Sequence, residues 1–282
     1  MEVRFSCPMD TDSVSGQITV IPEPTEVYTY WSDYRTRLYI GFSSQPATEY
    51  TVILGPDIAD PYGHTLGKEI RIHYTTGHLE PMVYLNTQGR TGTYDAHARP
   101  RLYATYRNVS RLDVRLYTLP LEEFLDIMDD WWAWNEFRPD PVNLLREWSI
   151  PTDAPQDTTG LAEIRVEARE GEPVSPGLYC IEVTAPEWEA EEPERHLLVV
   201  SPLNLVLKHS RHEALVWVTS LDDGQPVSGL PITLYDGEKG VLVRGTTDED
   251  GLAYFTFSEP RDTWTLLAAI TAQPGDDRFG LV

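Results

Sequence analysis

Apolar residues recur at every second position in run after run of this chain. That period is the feature that most limits what the chain can fold into. Leu38, Ile40 and Phe42 alternate with Arg37, Tyr39 and Gly41, while Tyr50, Val52, Leu54 and then Ile70, Ile72, Tyr74 repeat the rule. Leu112, Val114 and Leu116 sit between Arg111, Asp113, Arg115 and Tyr117, the pattern of a strand with one wet face. Further runs follow at Ile164-Val166-Ala168, Tyr179-Ile181-Val183, Ala214–Val218, Ile232-Leu234, Ala253-Phe255-Phe257 and Trp264-Leu266-Ala268-Ile270. Pro61-Tyr62-Gly63, Asp223-Gly224, Asp236-Gly237 and Asp250-Gly251 punctuate them as turns. Gly 19 and Pro 22 among 282 residues suit many turns and few long helices. The expectation is an all-β chain of antiparallel sandwiches.

One stretch breaks the period. Leu121, Phe124, Leu125, Met128 and Trp131/Trp132 fall at helical spacing after Pro120 and before Pro139, which predicts a short amphipathic helix near 120–137. Its polar face is acidic and carries no Lys, which argues against a membrane surface. Packing on its own sandwich is the expectation, with Trp131, Trp132 and Trp134 mainly in the core.

The net charge is -23, and positions 121–200 hold 20 acidic residues against five arginines. Such a surface repels phosphate backbones and anionic lipid, so neither nucleic acid nor membrane insertion is expected. No apolar run is long enough to span a bilayer as a helix. Met1-Glu2-Val3-Arg4-Phe5 lacks a signal-peptide core, so any export signal is expected outside this chain. The acidic run Glu187-Trp188-Glu189-Ala190-Glu191-Glu192-Pro193-Glu194 reads as a solvated hairpin tip.

Signatures of catalysis are missing. Neither G-x-S-x-G, H-E-x-x-H, a P-loop nor G-x-G-x-x-G occurs. His212-Glu213 begins like a zinc motif, but Trp217 follows, which can be no ligand, and the segment reads as a strand rather than a helix. His73/His78 and His209/His212 have no supporting cysteine or carboxylate spacing. Asp248-Glu249-Asp250-Gly251 lacks a calcium-loop frame and reads as a tight turn with Gly251 at positive φ. Asn108-Val109-Ser110 fits a glycosylation acceptor only as a tripeptide. Cys7 and Cys180 lie far apart with no metal or redox spacing and read as unpaired structural thiols. No catalytic, cofactor-binding or metal-binding residue is expected, no cofactor either, and enzymatic action is the weaker hypothesis.

Turn clusters place boundaries after His78 and after Ser201. Three units are expected: 1–78, 79–201 with the helical insertion near 120–137, and 202–282.

Three stretches resemble the bacterial alpha-2-macroglobulin family. Phe5–Val14, with Tyr50–Leu54 and Asp60-Pro61-Tyr62-Gly63-His64-Thr65-Leu66, looks like its bacterial immunoglobulin-like domain. Asn86–Ala96 through Tyr106–Tyr117 into Leu121-Glu122-Glu123-Phe124, closed by Pro176-Gly177-Leu178-Tyr179, is similar to a macroglobulin domain. Ala214–Leu221, Gly224-Gln225-Pro226-Val227-Ser228-Gly229 through Leu234, and Thr247–Ala253 look like the next one. The resemblance implies tandem immunoglobulin-like and macroglobulin sandwiches from the N-terminal part of a broad-spectrum protease inhibitor. Such an inhibitor traps proteases after cleavage of a bait segment, so proteases and the remaining macroglobulin domains are the implied partners. The implied place is the cell envelope (periplasm or cell surface) or outside the cell. Cys7 precedes Pro8-Met9-Asp10 and Cys180 precedes Ile181-Glu182-Val183, so the thioester motif of many members is not in this sequence, and no segment reads as bait. The competing reading is a tandem-sandwich adhesin or stalk, which would share the same turn chemistry.

Overall fold

The computed structural model describes residues 1–282 except 33, 130, 237–239 and 262–266. The chain falls into two compact units, Met1–Glu80 and Pro81–Val282. It is built mostly from strands.

In the first unit, Glu2–Arg4, Arg37–Phe42 and Val27–Ser32 form one antiparallel sheet, and Ile18–Ile21, Glu49–Leu54 and Ile70–Thr75 form the other. Register follows the apolar period: Val20 faces Val52, and Val52 faces Ile72 across the next pair. Every second residue therefore points into one core of Val20, Leu38, Ile40, Tyr50, Val52 and Leu54, closed by Met9, Val14 and Ile58. Each such side chain, fully buried, contributes about 1.5–3 kcal/mol.

The second unit contains two further sandwiches. A five-stranded sheet runs in the order Leu144–Pro151, Arg111–Thr118, Gly177–Thr184, Glu194–Ser201, Thr91–Asp95. Its last pair is parallel, whereas the other strand pairs among the described residues are antiparallel. Opposite lies the sheet Gly160–Arg165, Arg101–Arg107, Met82–Leu85. Ile164 lies in the first of these strands, which ends at Arg165, while Ala168 belongs to a separate short one, Glu167–Arg169, so the alternation read through 164–168 crosses a break at Val166. Between the sheets pack Leu102, Ala104, Tyr106, Leu112, Val114, Leu116, Ile181, Val183, Leu198 and Val200.

The next sandwich pairs Leu203–His209, Glu213–Ser220 and Leu252–Thr256 in one sheet, and Val241–Thr246, Pro231–Asp236 and Leu267–Ile270 in the other. Trp264 and Leu266 of the last alternating run, and Gly237 of the turn after Asp236, lie outside the described residues. Gly251 has φ +72°, and a Cβ there would sit 2.5 Å from the Val218 carbonyl. Asp248 Oδ1 accepts from the backbone N–H groups of Asp250 and Leu252, so this turn is the tight one expected. Gly224 and Gly229 also take positive φ, flanking the Pro226 crossing between strands.

The helical insertion is a pair of helices, α1 (Leu121–Asp129) and α2 (Trp131–Glu136). Phe124 N donates to Pro120 O to start α1, and Glu122 and Glu123 sit in its first turn, where the dipole favours carboxylates. Phe124, Leu125 and Ile127 are buried against Tyr117, Leu178, Cys180, Leu197 and Val199, the outer face of the five-stranded sheet. Gly177–Val183 is consequently buried on both faces, where alternation alone suggested one wet face. The same cluster takes in Ala268, Ile270, Phe279 and Leu281 from the following sandwich. Residues 81–282 thus share a core that crosses from one sandwich to the next. At that crossing the buried Ser201 hydroxyl lies 2.7 Å from the Leu203 carbonyl and 2.9 Å from that of Phe279, and accepts from Leu203 N.

Trp131 and Trp132 correct the sequence expectation. They are 54% and 69% exposed and meet edge-to-face at 5.0 Å, while Ile127 takes the buried place. The indole that packs inward is Trp134.

Candidate functional site

A group of ionisable side chains, some of them buried, lies under the helix pair. Arg195, on the Glu194–Ser201 strand, has a side chain 4% exposed. Its guanidinium donates to the Phe137 carbonyl at the end of α2 and to Glu192, and lies 5.2 Å from the Trp134 ring centroid. Arg138 also donates to Glu192, from a more exposed position. Glu182, 8% exposed on the neighbouring strand, has its carboxyl pushed above the usual range by burial, while Arg195 and the Tyr117 hydroxyl pull the other way. Burial likewise pushes the Cys180 thiol up, so it stays a thiol rather than a nucleophilic thiolate at neutral pH. Chemically, this group is a lock: its cations and anions satisfy one another and hold α2 to the sheet.

A buried histidine paired with a half-buried tyrosine sits on the other face of the same strand. His196 is 1% exposed, and its Nε2 lies 2.8 Å from the Tyr94 hydroxyl on the parallel edge strand. Gly92 is its seat, because a Cβ there would come within 3.0 Å of Nε2. Nδ1 makes no geometrically sound hydrogen bond among the described residues, the Gly89 backbone being its nearest influence. Burial lowers the His196 pKa, and the Gly89 backbone opposes that shift only in part. The sign follows from linkage: the unfolded chain binds this proton more readily than the folded one. Stability from this site is therefore full above the unfolded histidine value and is lost as pH falls below it. Thermal melts should drop by a few degrees between about pH 7.5 and about pH 5.5, and His196→Gln should flatten that slope. Equal slopes in both proteins would refute it.

A third ionic contact closes the seam between Leu144–Pro151 and Gly160–Arg165. Arg146 lies 4.6 Å from the Trp148 ring centroid and 3.2 Å from Glu167, which is itself nearly buried. The Gly171 N–H and then Arg146 hold the Glu167 carboxyl below its usual range.

The other residues raised by the sequence are dispersed. Cys7 is exposed and Cys180 buried, both unpaired, so only the second behaves as a packed structural thiol. His73 is exposed and meets Thr51 Oγ1 at 2.9 Å. His209 and His212 are exposed at a strand end. Asn108 takes φ +53°, its Nδ2 donates to Asp157 and its Oδ1 accepts from Asp157 N, so the acceptor nitrogen of the tripeptide is engaged in the fold. The acidic run is more than a wet tip: Glu187 accepts from Ser110 N, Glu192 from Arg138 and Arg195, Glu194 from Leu85 N, and Trp188 packs on the core. Among the described residues no three His, Cys, Asp or Glu side chains converge as a metal site would require. No helix among them is long and apolar enough to cross a membrane. Arg195 could not have been singled out from the sequence, since it follows an acidic run like any surface cation.

Against known proteins, residues 200–280 match the family model of the bacterial alpha-2-macroglobulin MG3 domain. An alpha-2-macroglobulin homolog from Nostoc sp. is 23% identical, over 89% of this chain and 14% of the relative. The chain thus spans about a seventh of that relative's length. Among solved structures, Salmonella alpha-2-macroglobulin reacted with methylamine aligns with TM-score 0.75 at 16% identity, over 99% of this chain and 17% of that one. The piece of Escherichia coli alpha-2-macroglobulin spanning domains MG0-NIE-MG1 aligns with TM-score 0.60 at 17% identity, over 100% of this chain and 90% of that one. These likenesses bear out the resemblance to the bacterial alpha-2-macroglobulins and the macroglobulin-like sandwich fold.

Proposed function

We propose, with the likeness to bacterial alpha-2-macroglobulins as the premise, that this chain is a non-catalytic scaffold portion of a protease-trapping inhibitor of that type. Its modules are 1–78, 79–201 and 202–282, and the bait segment and any thioester lie elsewhere in the parent. The observation that carries this reading is the match of residues 200–280 to the MG3 domain model, in a chain whose fold aligns along nearly its whole length. The ionic groups support it, because each is spent on holding strands and helices together. The partners on this reading are proteases, for the whole protein, and further macroglobulin domains, and the location is the cell envelope or outside the cell.

The parent gene supplies the first check, which is whether further macroglobulin-type sandwiches follow Val282. Their absence would overturn the reading. The isolated chain should also leave proteases uninhibited. Digestion of a large protein substrate should run at the same rate with and without excess chain, and stoichiometric protection would show that the reactive region lies within it.

A further inference from the structure

A sandwich has two open sides where its sheets end, and this molecule treats two such sides differently. In the second unit, the recess of about 500 Å³ between Leu144–Pro151 and Gly160–Arg165 is crossed by the Arg146–Trp148 stack and the Arg146–Glu167 ion pair. In the first unit, the side between Ile18–Ile21 and Val27–Ser32 has no such clamp among its lining residues.

Both of those strands are sheet edges. Among the described residues, Ile18–Ile21 pairs only with Glu49–Leu54, and Val27–Ser32 only with Arg37–Phe42. Two recesses lie along them, of about 600 and 340 Å³, and share Ile18 and Val27, so they form one trough. Its floor is apolar: Val14 and Val20 belong to the core, Ile18 packs against it, and Val27 is 39% exposed. Asp12, Glu23 and Glu26 line it, and no Lys or Arg does. Edge strands are commonly protected by lysines that repel an incoming strand, and this edge carries the opposite charge.

We propose that this trough is a docking site for an extended polypeptide segment, which adds to the open sheet edge in antiparallel or parallel register. The fitting segment alternates apolar residues, which reach the Ile18/Val20/Val27 floor, with Lys or Arg, which meet Asp12, Glu23 and Glu26. Main-chain bonds to the edge supply affinity, and the floor and the carboxylates supply selection. This inference is independent of the inhibitor reading, since it needs only the first unit's geometry and charge.

The test uses the full chain and two synthetic hexapeptides, one alternating Val with Lys and one alternating Val with Glu. Amide hydrogen exchange and backbone chemical shifts locate binding. The Lys peptide should slow exchange in Ile18–Ile21, Val27–Ser32 or both, bind about tenfold or more tightly than the Glu peptide, and weaken with salt. Glu23→Gln with Glu26→Gln should reduce its affinity several-fold, and Val27→Lys should abolish protection. Should Val27→Lys disturb the fold, the double glutamine variant, altered only at the rim, still decides. Protection elsewhere, no protection at either edge, or equal binding of both peptides would overturn the proposal.

Discussion

Phe279→Ala is expected to destabilise residues 81–282 by about 3–5 kcal/mol. The ring is fully buried, and it stands where the last sandwich meets Leu178, Cys180, Leu197 and Val199 of the preceding sheet. Removing it opens a cavity between two surfaces, each already fixed by its own hydrogen-bonded sheet. Neither can collapse inward cheaply, so most of the lost packing should appear in the measurement. Urea denaturation followed by tryptophan fluorescence is the assay. The midpoint should fall while the slope holds, since the surface exposed on unfolding is nearly unchanged. A loss below about 1 kcal/mol would mean that the junction packs loosely and that the two sandwiches are energetically separate.

Arg195→Ala should cost about 3–5 kcal/mol, by a different route. The side chain is almost wholly buried, so its removal deprives Glu182 of its main opposing cation and leaves the Phe137 carbonyl to the more exposed Arg138 alone. Trp134 loses the nearer of the two cations against its ring as well, Arg90 remaining at 6.0 Å. The helix pair should then loosen from the sheet, which a red-shifted tryptophan emission would report. Arg138→Ala is the control: that side chain is 53% exposed and shares Glu192, so its loss should cost no more than about 1 kcal/mol. Equal effects of the two changes would show that Arg195 is an ordinary surface cation.

How much of this was legible in the sequence depends on the length scale of the signal. Alternation in Leu38-Ile40-Phe42 or Leu112-Val114-Leu116 records a local choice of face, and those strands and faces match. The Asp248–Gly251 turn is equally local, because a side chain two to four residues away satisfies its backbone. Gly177–Val183 was harder. Its second buried face is covered by helices from more than forty positions earlier and by residues near the end of the chain, and no period within the strand encodes such covers. Short edge strands such as Glu2–Arg4 and Thr91–Asp95 are likewise weakly patterned, because one partner and partial burial ask little of their side chains. Trp131 and Trp132 misled because helical spacing records that a helix is amphipathic but not how far around it the cover extends.

The core that runs through Leu197, Val199, Phe279 and Leu281 has a practical consequence for truncation. Severing the chain at the 201/202 turn, as the strand pattern invites, would bare an oily patch on both fragments and drive each to aggregate. Soluble pieces should instead begin near Pro81 and run on past Leu281.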